Sequence, residues 1–394
     1  MGGVDSTIAW MTGGLRERDA ALHLLRGVEN GEPRDEFGIA SLRDVLSNAF
    51  FPGVTTIQTR AKYFLWVPAI YVTLERHRPR DARISNAVRE RETELMNGLR
   101  AAGESEGVIG SRSWKLPQRS AADLYWHGTR TWGLRSFSNP QADYHRWLSS
   151  SRRAKPAALA DEEGQHQTWN GWFYEQDSLL ADHRMQLSDE QGSFLGRRIE
   201  TITDAPHRCL LKDLLETDLP HGTPFWDLPK VESGRAALSP LAGHAKLLSA
   251  AIDGAVRAYG ALWATRRDDL DTEPYVKSFE DWAQTHPGVW WSEWDLDEFW
   301  ALIRELPWGT IAQSRTRPFI ECLVREYQRQ AEPALSQRLE QEIVRRERQV
   351  KPGRARLSGG SSLVDREPPD AGGLGFRWWQ ARRMLLDIRN REDG

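Results

Sequence analysis

The amino-acid sequence predicts an all-α or mainly α protein built from multi-helix bundle regions. Apolar residues recur at the three- and four-residue spacing of a helix in several long runs, of which residues 241–265 form the clearest. Short polar start signals, such as Ser41 with Asp44, and proline or glycine stop signals separate these runs. Both observations favour a series of packed helices.

The first predicted helices lie in the first 80 residues. One covers residues 16–28, and a second opens at the capping box just described and ends at Pro52. A third helix would be capped by Thr55 or Thr56 and has an apolar face broad enough to be buried on most sides. Pro68 lies inside this third run, where we expect it to kink the helix without ending it.

The next stretch alternates helix signals with a short apolar segment. Residues 84–102 predict a helix, residues 106–112 (EGVIGSR) predict a short extended piece, and Ser120 with Asp123 opens another helix. Helix, extended piece and helix over residues 84–137 are compatible with a winged-helix-like module, which presents a helix to DNA. Plain helical packing is the alternative interpretation.

Changes in composition divide the chain into four segments. The composition changes from residue 149 to about residue 188, and its first part, SSSRRAKPAALADEEGQHQ, is polar and poor in large apolar side chains, which is typical of a linker or a surface loop. The predicted organisation is an N-terminal helical domain over 1–150, a linker or surface loop over 151–187, a Trp-rich helical domain over 188–330, and a basic arm with a docking helix over 331–394.

Tryptophan is abundant, with 18 residues of 394, and six of these fall between residues 282 and 308. Tryptophan buries a large area, so this cluster predicts a local core or an interface. Stacking of single-stranded bases is the alternative, but such sites interleave aromatic residues with Lys and Arg. This cluster instead contains Glu293, Asp295, Asp297 and Glu298.

The overall charge and the cysteine content limit the classes of function. The net charge is −3, so any contact with nucleic acid must use a local patch. The two cysteines, Cys209 and Cys322, are far apart in the sequence and indicate neither a disulfide framework nor a zinc knuckle. No basic leader and no run of eighteen apolar residues occurs, so we expect a cytoplasmic protein with no membrane partner. Nucleotide-binding and zinc-hydrolase motifs are missing, and no cofactor and no metal is predicted.

Two local concentrations of basic residues are candidates for contacts with phosphate groups. Residues 37–80 hold six Lys or Arg against two acidic residues, and residues 338–356 hold seven against three. Charge runs of this kind also form ordinary solvated faces. The candidate nucleic-acid-binding residues are Arg43, Arg60, Lys62, Arg130, Arg135, Arg345, Arg346, Arg348, Lys351, Arg354 and Arg356.

Three segments carry a resemblance to a known family. They are RDEFGIASLRD from residue 34, FFPGVTTIQTRAKYFLWVPAIY from residue 50 and DLYWHGTRTWGLR from residue 123, with GLGFRWWQARRMLLDI near the C-terminus. The chain resembles an uncharacterised bacterial family whose genes lie in antiphage defence islands, close to genes for a helicase and a phospholipase D-like nuclease. The resemblance implies other defence proteins as partners, and it supplies no catalytic residues.

The sequence leads to one functional hypothesis and two alternatives. The first is a non-enzymatic subunit of a bacterial antiphage defence system, which binds DNA or bridges a helicase and a nuclease. One alternative is a metal-dependent nuclease that uses Asp35, Glu36 and Asp44, because such enzymes need clustered carboxylates. The other is an assembly subunit that does not bind DNA and uses the Trp-rich region as its interface.

Overall fold

The structure is a computed structural model and confirms a mainly α fold. It describes residues 35–77, 83–150, 168–176, 178–202, 209–267, 270–329, 331, 333–358 and 371–389. This part of the chain contains fifteen α-helices and no β-strand. The helix predicted over residues 16–28 lies outside the described residues.

The helices follow one another along the whole described chain. The first five are α1 (Ala40–Phe50), α2 (Tyr63–Arg76), α3 (Ile84–Ala101), α4 (Ala121–Thr131) and α5 (Gln141–Ser149). They are followed by α6 (Asp189–Glu200), α7 (Leu210–Leu214), α8 (Pro229–Glu232), α9 (Ser239–Ala264), α10 (Glu273–Thr285), α11 (Gly288–Ser292), α12 (Leu296–Glu305), α13 (Gly309–Gln328), α14 (Gln337–Val350) and α15 (Trp378–Arg389). Short 3-10 helices cover Gly171–Glu175 and Phe225–Asp227.

Two of the predicted helix starts are wrong. Helix α1 begins at Ala40, so Ser41 lies inside it, and the carboxylate of Asp35 accepts hydrogen bonds from the amides of Ile39 and Ala40 at 2.9 and 2.8 Å. Helix α2 begins at Tyr63 and not near residue 55, because residues 51–62 form turns held by contacts with distant segments. Local spacing cannot reveal a cap supplied from outside the helix.

Other predicted features of these helices are confirmed. The capping box of Ser120 and Asp123 opens α4. Helix α2 continues through Pro68. At the start of α4 the serine and its aspartate partner lie within one turn of each other, so the sequence pattern is sufficient to predict that start.

The predicted extended piece over residues 106–112 is a series of turns. Gly107 and Gly110 have φ angles of 75° and 93°, in the left-handed region, which an extended strand does not use. An isolated antiparallel β-bridge joins Arg135 and Trp169, and neither residue belongs to the predicted extended piece. The winged-helix-like interpretation therefore lacks its wing, and plain helical packing describes residues 84–137.

A single cluster of buried apolar side chains extends from Phe37 to Ile388. Helix α1 packs against α13, and α15 packs against α6 and α7. The rings of Phe37 and Phe319 stack with their centroids 5.1 Å apart. The segments predicted as N-terminal, Trp-rich and C-terminal units thus share one core.

The segment predicted as a linker is described from residue 168 onward, and that part is packed. Trp169, Phe173, Leu179 and Met185 are all buried in the common core. Apolar and aromatic side chains are frequent in residues 168–187, and this part of the predicted linker belongs to the core. Residues 151–167 lie outside the described residues.

The Trp-rich region forms a local core, which is one of the two roles predicted for it. Trp282, Trp291, Trp294 and Trp300 are each 0–4% exposed. Asp295 lies beside them and accepts a hydrogen bond from the amide of Glu298 at 2.9 Å, which caps α12. Among the described helices, none is both long enough and apolar enough to span a lipid bilayer.

Candidate nucleic-acid interface

Arg60 joins two distant parts of the chain. Its Nε donates to Asp387 Oδ1 at 2.9 Å, and the amide of Ala61 donates to Asp387 Oδ2 at 2.8 Å. Burial raises the pKa of the Asp387 carboxyl, although Arg60 opposes that effect. Arg60 therefore docks α15 onto the loop before α2 and does not extend into solvent.

Lys62 is fully buried, with 0% of its surface exposed. Its Nζ donates to Asp182 Oδ2 at 2.7 Å, to the carbonyl of Gln186 at 2.8 Å and to Gln191 Oε1 at 2.7 Å. Burial acts to raise the pKa of Asp182, but the hydrogen bond and charge of Lys62 hold it below the usual range. In this conformation Lys62 offers no cation to a phosphate group.

Arg130 and Arg135 hold the turn after α4. Arg135 is 3% exposed and donates to the carbonyls of Phe137 at 2.8 Å and of Asn139 at 3.1 Å. Its guanidinium lies 4.3 Å from the ring centre of Trp126. Arg130 Nη1 donates to the carbonyl of Ser136 at 3.0 Å. Both arginines satisfy backbone carbonyls that would otherwise be buried without donors.

Other residues of the family-like segments bind one another. The hydroxyl of Tyr125 accepts a hydrogen bond from the amide of Thr59 at 2.9 Å and donates one to the carbonyl of Arg60 at 2.9 Å. The indole of Trp132 donates to the carbonyl of Pro52 at 3.0 Å. Gln58 donates to the carbonyl of Gly53 at 3.2 Å and also reaches the start of α4. The residues that carry the family resemblance therefore hold one another in place inside the protein.

The three carboxylates of the nuclease alternative have separate structural roles. Asp35 caps α1, Glu36 is buried and pairs with Lys351, and Asp44 accepts a hydrogen bond from Arg377 at 2.9 Å. No group of three or more His, Cys, Asp or Glu side chains in the described ranges could hold a metal ion. These three residues do not converge on one site.

Several basic residues of the predicted C-terminal arm are also packed. Arg346 Nε donates to the carbonyl of Phe37 at 2.7 Å, and Arg356 is only 9% exposed. Near the N-terminus of the described chain, Arg43 is half-buried beside Asp44. Together with Lys351, which pairs with Glu36, these residues join the arm to the body.

Arg345, Arg348 and Arg354 are the predicted contacts that are exposed. Arg345 and Arg348 line an open groove of about 440 Å³ beside α14. Arg266, just after α9, forms part of the same wall and pairs with Glu340 at 3.0 Å. We call this feature the arginine groove, and its lining residues are Arg266, Gln337, Glu340, Gln341, Val344, Arg345, Arg348 and Gln349.

A buried carboxylate fixes the chain that follows α14. Glu347 is 0% exposed and accepts hydrogen bonds from the Tyr259 hydroxyl at 2.7 Å and from the amides of Arg356 and Leu357 at 2.8 and 2.9 Å. Three donors satisfy a charge that would be unfavourable if it were left unpaired. The loop that carries Arg354 is thereby held at the end of the helix.

Sequence reasoning identified Arg345 and Arg348 as candidates but missed the residues opposite and between them. Arg266 lies outside both basic concentrations, and only the packing of α9 against α14 brings it to the groove. Gln337 and Gln341 carry no charge, so a count of basic residues could not find them. Their spacing of four residues along a helix was the available signal.

Comparison with known proteins gives one match. A protein-family model matches residues 5–391 and is described as a family of unknown function, DUF6361. No curated protein and no solved structure matches the chain.

Proposed function

This chain belongs to DUF6361, and on that premise we propose that it is a non-enzymatic subunit of a bacterial antiphage defence complex that binds DNA. The DNA contact is assigned to the arginine groove. The chemistry of unwinding and cutting is assigned to partner proteins. The resemblance of the three sequence segments suggests that these partners are a helicase and a phospholipase D-like nuclease.

The observation that carries the proposal is the charge of the arginine groove. Three arginines and one glutamate, Glu340, line it, and Glu342 pairs with Arg345, so the groove keeps a local positive charge in a protein whose net charge is −3. Cations that replace the counterions of DNA phosphates provide sequence-independent affinity. Arg354 is also exposed, on the loop after α14 that the Glu347 contacts hold in place.

The test is fluorescence anisotropy with a labelled DNA duplex across a salt series. We expect the full chain to bind more weakly as salt rises from roughly 50 to 200 mM, because bound cations release counterions. The double variant Arg345→Ala/Arg348→Ala should bind more weakly at every salt concentration. On a duplex of arbitrary sequence, its slope of log affinity against log salt should fall by about 2, because each arginine there contacts one phosphate.

A matched control removes two exposed arginines far from the groove in sequence. Arg91→Ala/Arg112→Ala changes the net charge by the same amount, since both side chains lie exposed in the first half of the chain. We expect this variant to keep the wild-type slope. Equal losses of DNA affinity in the two double variants would contradict the assignment of the contact to the groove. If the wild type binds no DNA at low salt, DNA binding itself is contradicted.

A further inference from the structure

The outer face of α14 has an unusual composition for a surface helix. Its inner face buries Leu339, Ile343 and Glu347. The opposite face carries, over twelve residues, side chains spaced at helical intervals that line the arginine groove: Gln337, Gln341, Val344, Arg345 and Arg348. These five residues supply two amides, two guanidiniums and one small apolar group, and Glu340 and Gln349 line the groove at the edges of this face.

These side-chain types are those that distinguish base pairs in the major groove of DNA. Arginine donates two hydrogen bonds to guanine O6 and N7, glutamine pairs with adenine N6 and N7, and an apolar group contacts the methyl of thymine. The major groove of B-form DNA is about 12 Å wide and admits an α-helix. The fourteen residues of α14 span about 21 Å, which is enough to cross it.

We propose that α14 is a recognition helix that enters the major groove of double-stranded DNA and reads base pairs through Gln337, Gln341 and Arg348. This inference rests on the proposed function and extends it from phosphate binding to sequence recognition. It also identifies duplex DNA as the preferred form of nucleic acid.

The surroundings of the helix favour duplex DNA over other nucleic acids. Sites for single strands stack bases on aromatic side chains, and none of the residues that line the arginine groove is aromatic. The major groove of RNA duplexes is too deep and narrow for side chains to read. A-form RNA is therefore a poor fit for a helix face of this kind.

The internal contacts of the groove assign different roles to its arginines. Arg345 is oriented by Glu342, with its Nε 2.9 Å from Glu342 Oε2, and Arg266 pairs with Glu340. Arg348 is exposed and makes no hydrogen bond or ion pair with the described part of the chain. Arg348 is thus free to present both of its donor edges to a guanine, while Arg345 keeps the Nη1 edge for a base or a phosphate group.

The experiment selects duplexes from a pool of random sequence with the full chain, and then compares the best sequence with a scrambled one. We expect the wild type to prefer the selected duplex. Arg348→Lys keeps the positive charge but cannot form the two-pronged contact with guanine. It should reduce the ratio of the affinities for the selected and the scrambled duplex on the order of ten-fold, because the affinity for the selected duplex falls much more than the affinity for the scrambled one. Gln341→Ala should reduce the preference in the same way.

The control is Arg91→Lys, which makes the same chemical change outside the groove and should keep the full preference. If the wild type binds duplexes with a salt-dependent affinity but enriches no sequence, the inference fails and the proposed function stands. Tighter binding to single-stranded DNA or to RNA than to duplex DNA overturns the inference. If the chain binds no nucleic acid at low salt, both fail.

Discussion

Glu92 shows how a single side chain can make stability depend on pH. It is 3% exposed, its Oε1 accepts a hydrogen bond from the amide of Ala122 at 2.7 Å, and its Oε2 has no partner among the described residues. Burial raises its pKa to about 7; the hydrogen bond from Ala122 acts in the opposite direction. The neutral form of this carboxyl is therefore favoured in the folded protein.

The consequence is a loss of stability as pH rises. In the unfolded chain this carboxyl is exposed and has the ordinary pKa of 4.5, whereas its pKa in the folded protein is about 7. Between these values the folded state binds the proton more tightly, so stability falls by about 1.4 kcal/mol per pH unit. Above pH 7 this loss of stability is constant, and below pH 4.5 it is absent.

Glu92→Gln should therefore stabilise the protein in a pH-dependent way. Near pH 5 the variant and the wild type should unfold at similar urea concentrations. At pH 8 the variant should be more stable, by up to about 3 kcal/mol, because its side chain never ionises. Glu94→Gln, on the exposed side of the same helix, is the control. A stability difference that does not change with pH would exclude the raised pKa as its cause.

Arg60 and Lys62 show what a sequence cannot reveal at this scale. Both occur in a basic stretch, and both have contacts separated from them by more than 100 residues along the chain. The sequence showed their charge but not the carboxylates of Asp387 and Asp182 that neutralise it. Arg345 and Arg348 lie on a helix whose apolar stripe is visible in the sequence, so their exposure could be predicted.

Whole helices and loops show the same contrast between features that local sequence predicts and features that distant contacts determine. Helix α4 begins where a serine and its partner three residues later predict a start. The loop over residues 51–62 departs from its helical pattern because the Tyr125 hydroxyl and the Gln58 side chain bind its backbone. Long-range hydrogen bonds to the backbone replace those of a helix, and no local pattern encodes them.

Helix α15 depends on a small number of polar contacts in addition to its buried face. Asp387 accepts bonds from Arg60 and from the amide of Ala61. Asp387→Asn removes the negative charge. One of the two donors then faces the side-chain NH2 group, which cannot accept a hydrogen bond, and the other faces an uncharged and weaker acceptor. We expect a loss of roughly 2 kcal/mol in urea unfolding, in the range for a charged hydrogen bond that is broken on one side.

The control for Asp387→Asn is Glu106→Gln, an exposed acid whose carbonyl, and not its side chain, contacts Arg60. This variant should change stability by no more than about 0.5 kcal/mol. A loss as large as that of Asp387→Asn would show that general charge, and not the α15 contact, determines the effect.

For the whole molecule, the shared core predicts cooperative unfolding. Chains of this length commonly unfold in steps when their domains have separate cores. Here the apolar cluster extends without a break from Phe37 to Ile388 among the described residues. Tryptophan fluorescence and far-ultraviolet circular dichroism should therefore give one urea transition with the same midpoint. Two transitions with different midpoints would instead support independent units near the predicted boundaries at residues 150 and 188.

The link between Arg60 and Asp387 has a further consequence for how the protein is made. These residues are 327 positions apart, so on a ribosome that adds 5–20 residues per second Asp387 is synthesised about 15 to 65 s after Arg60. During that interval the loop before α2 and the buried ring of Phe51 lack the helix that covers them. The first segment of the nascent chain therefore cannot complete its packing until translation reaches α15, and its apolar surface stays accessible to chaperones and to other chains during that interval.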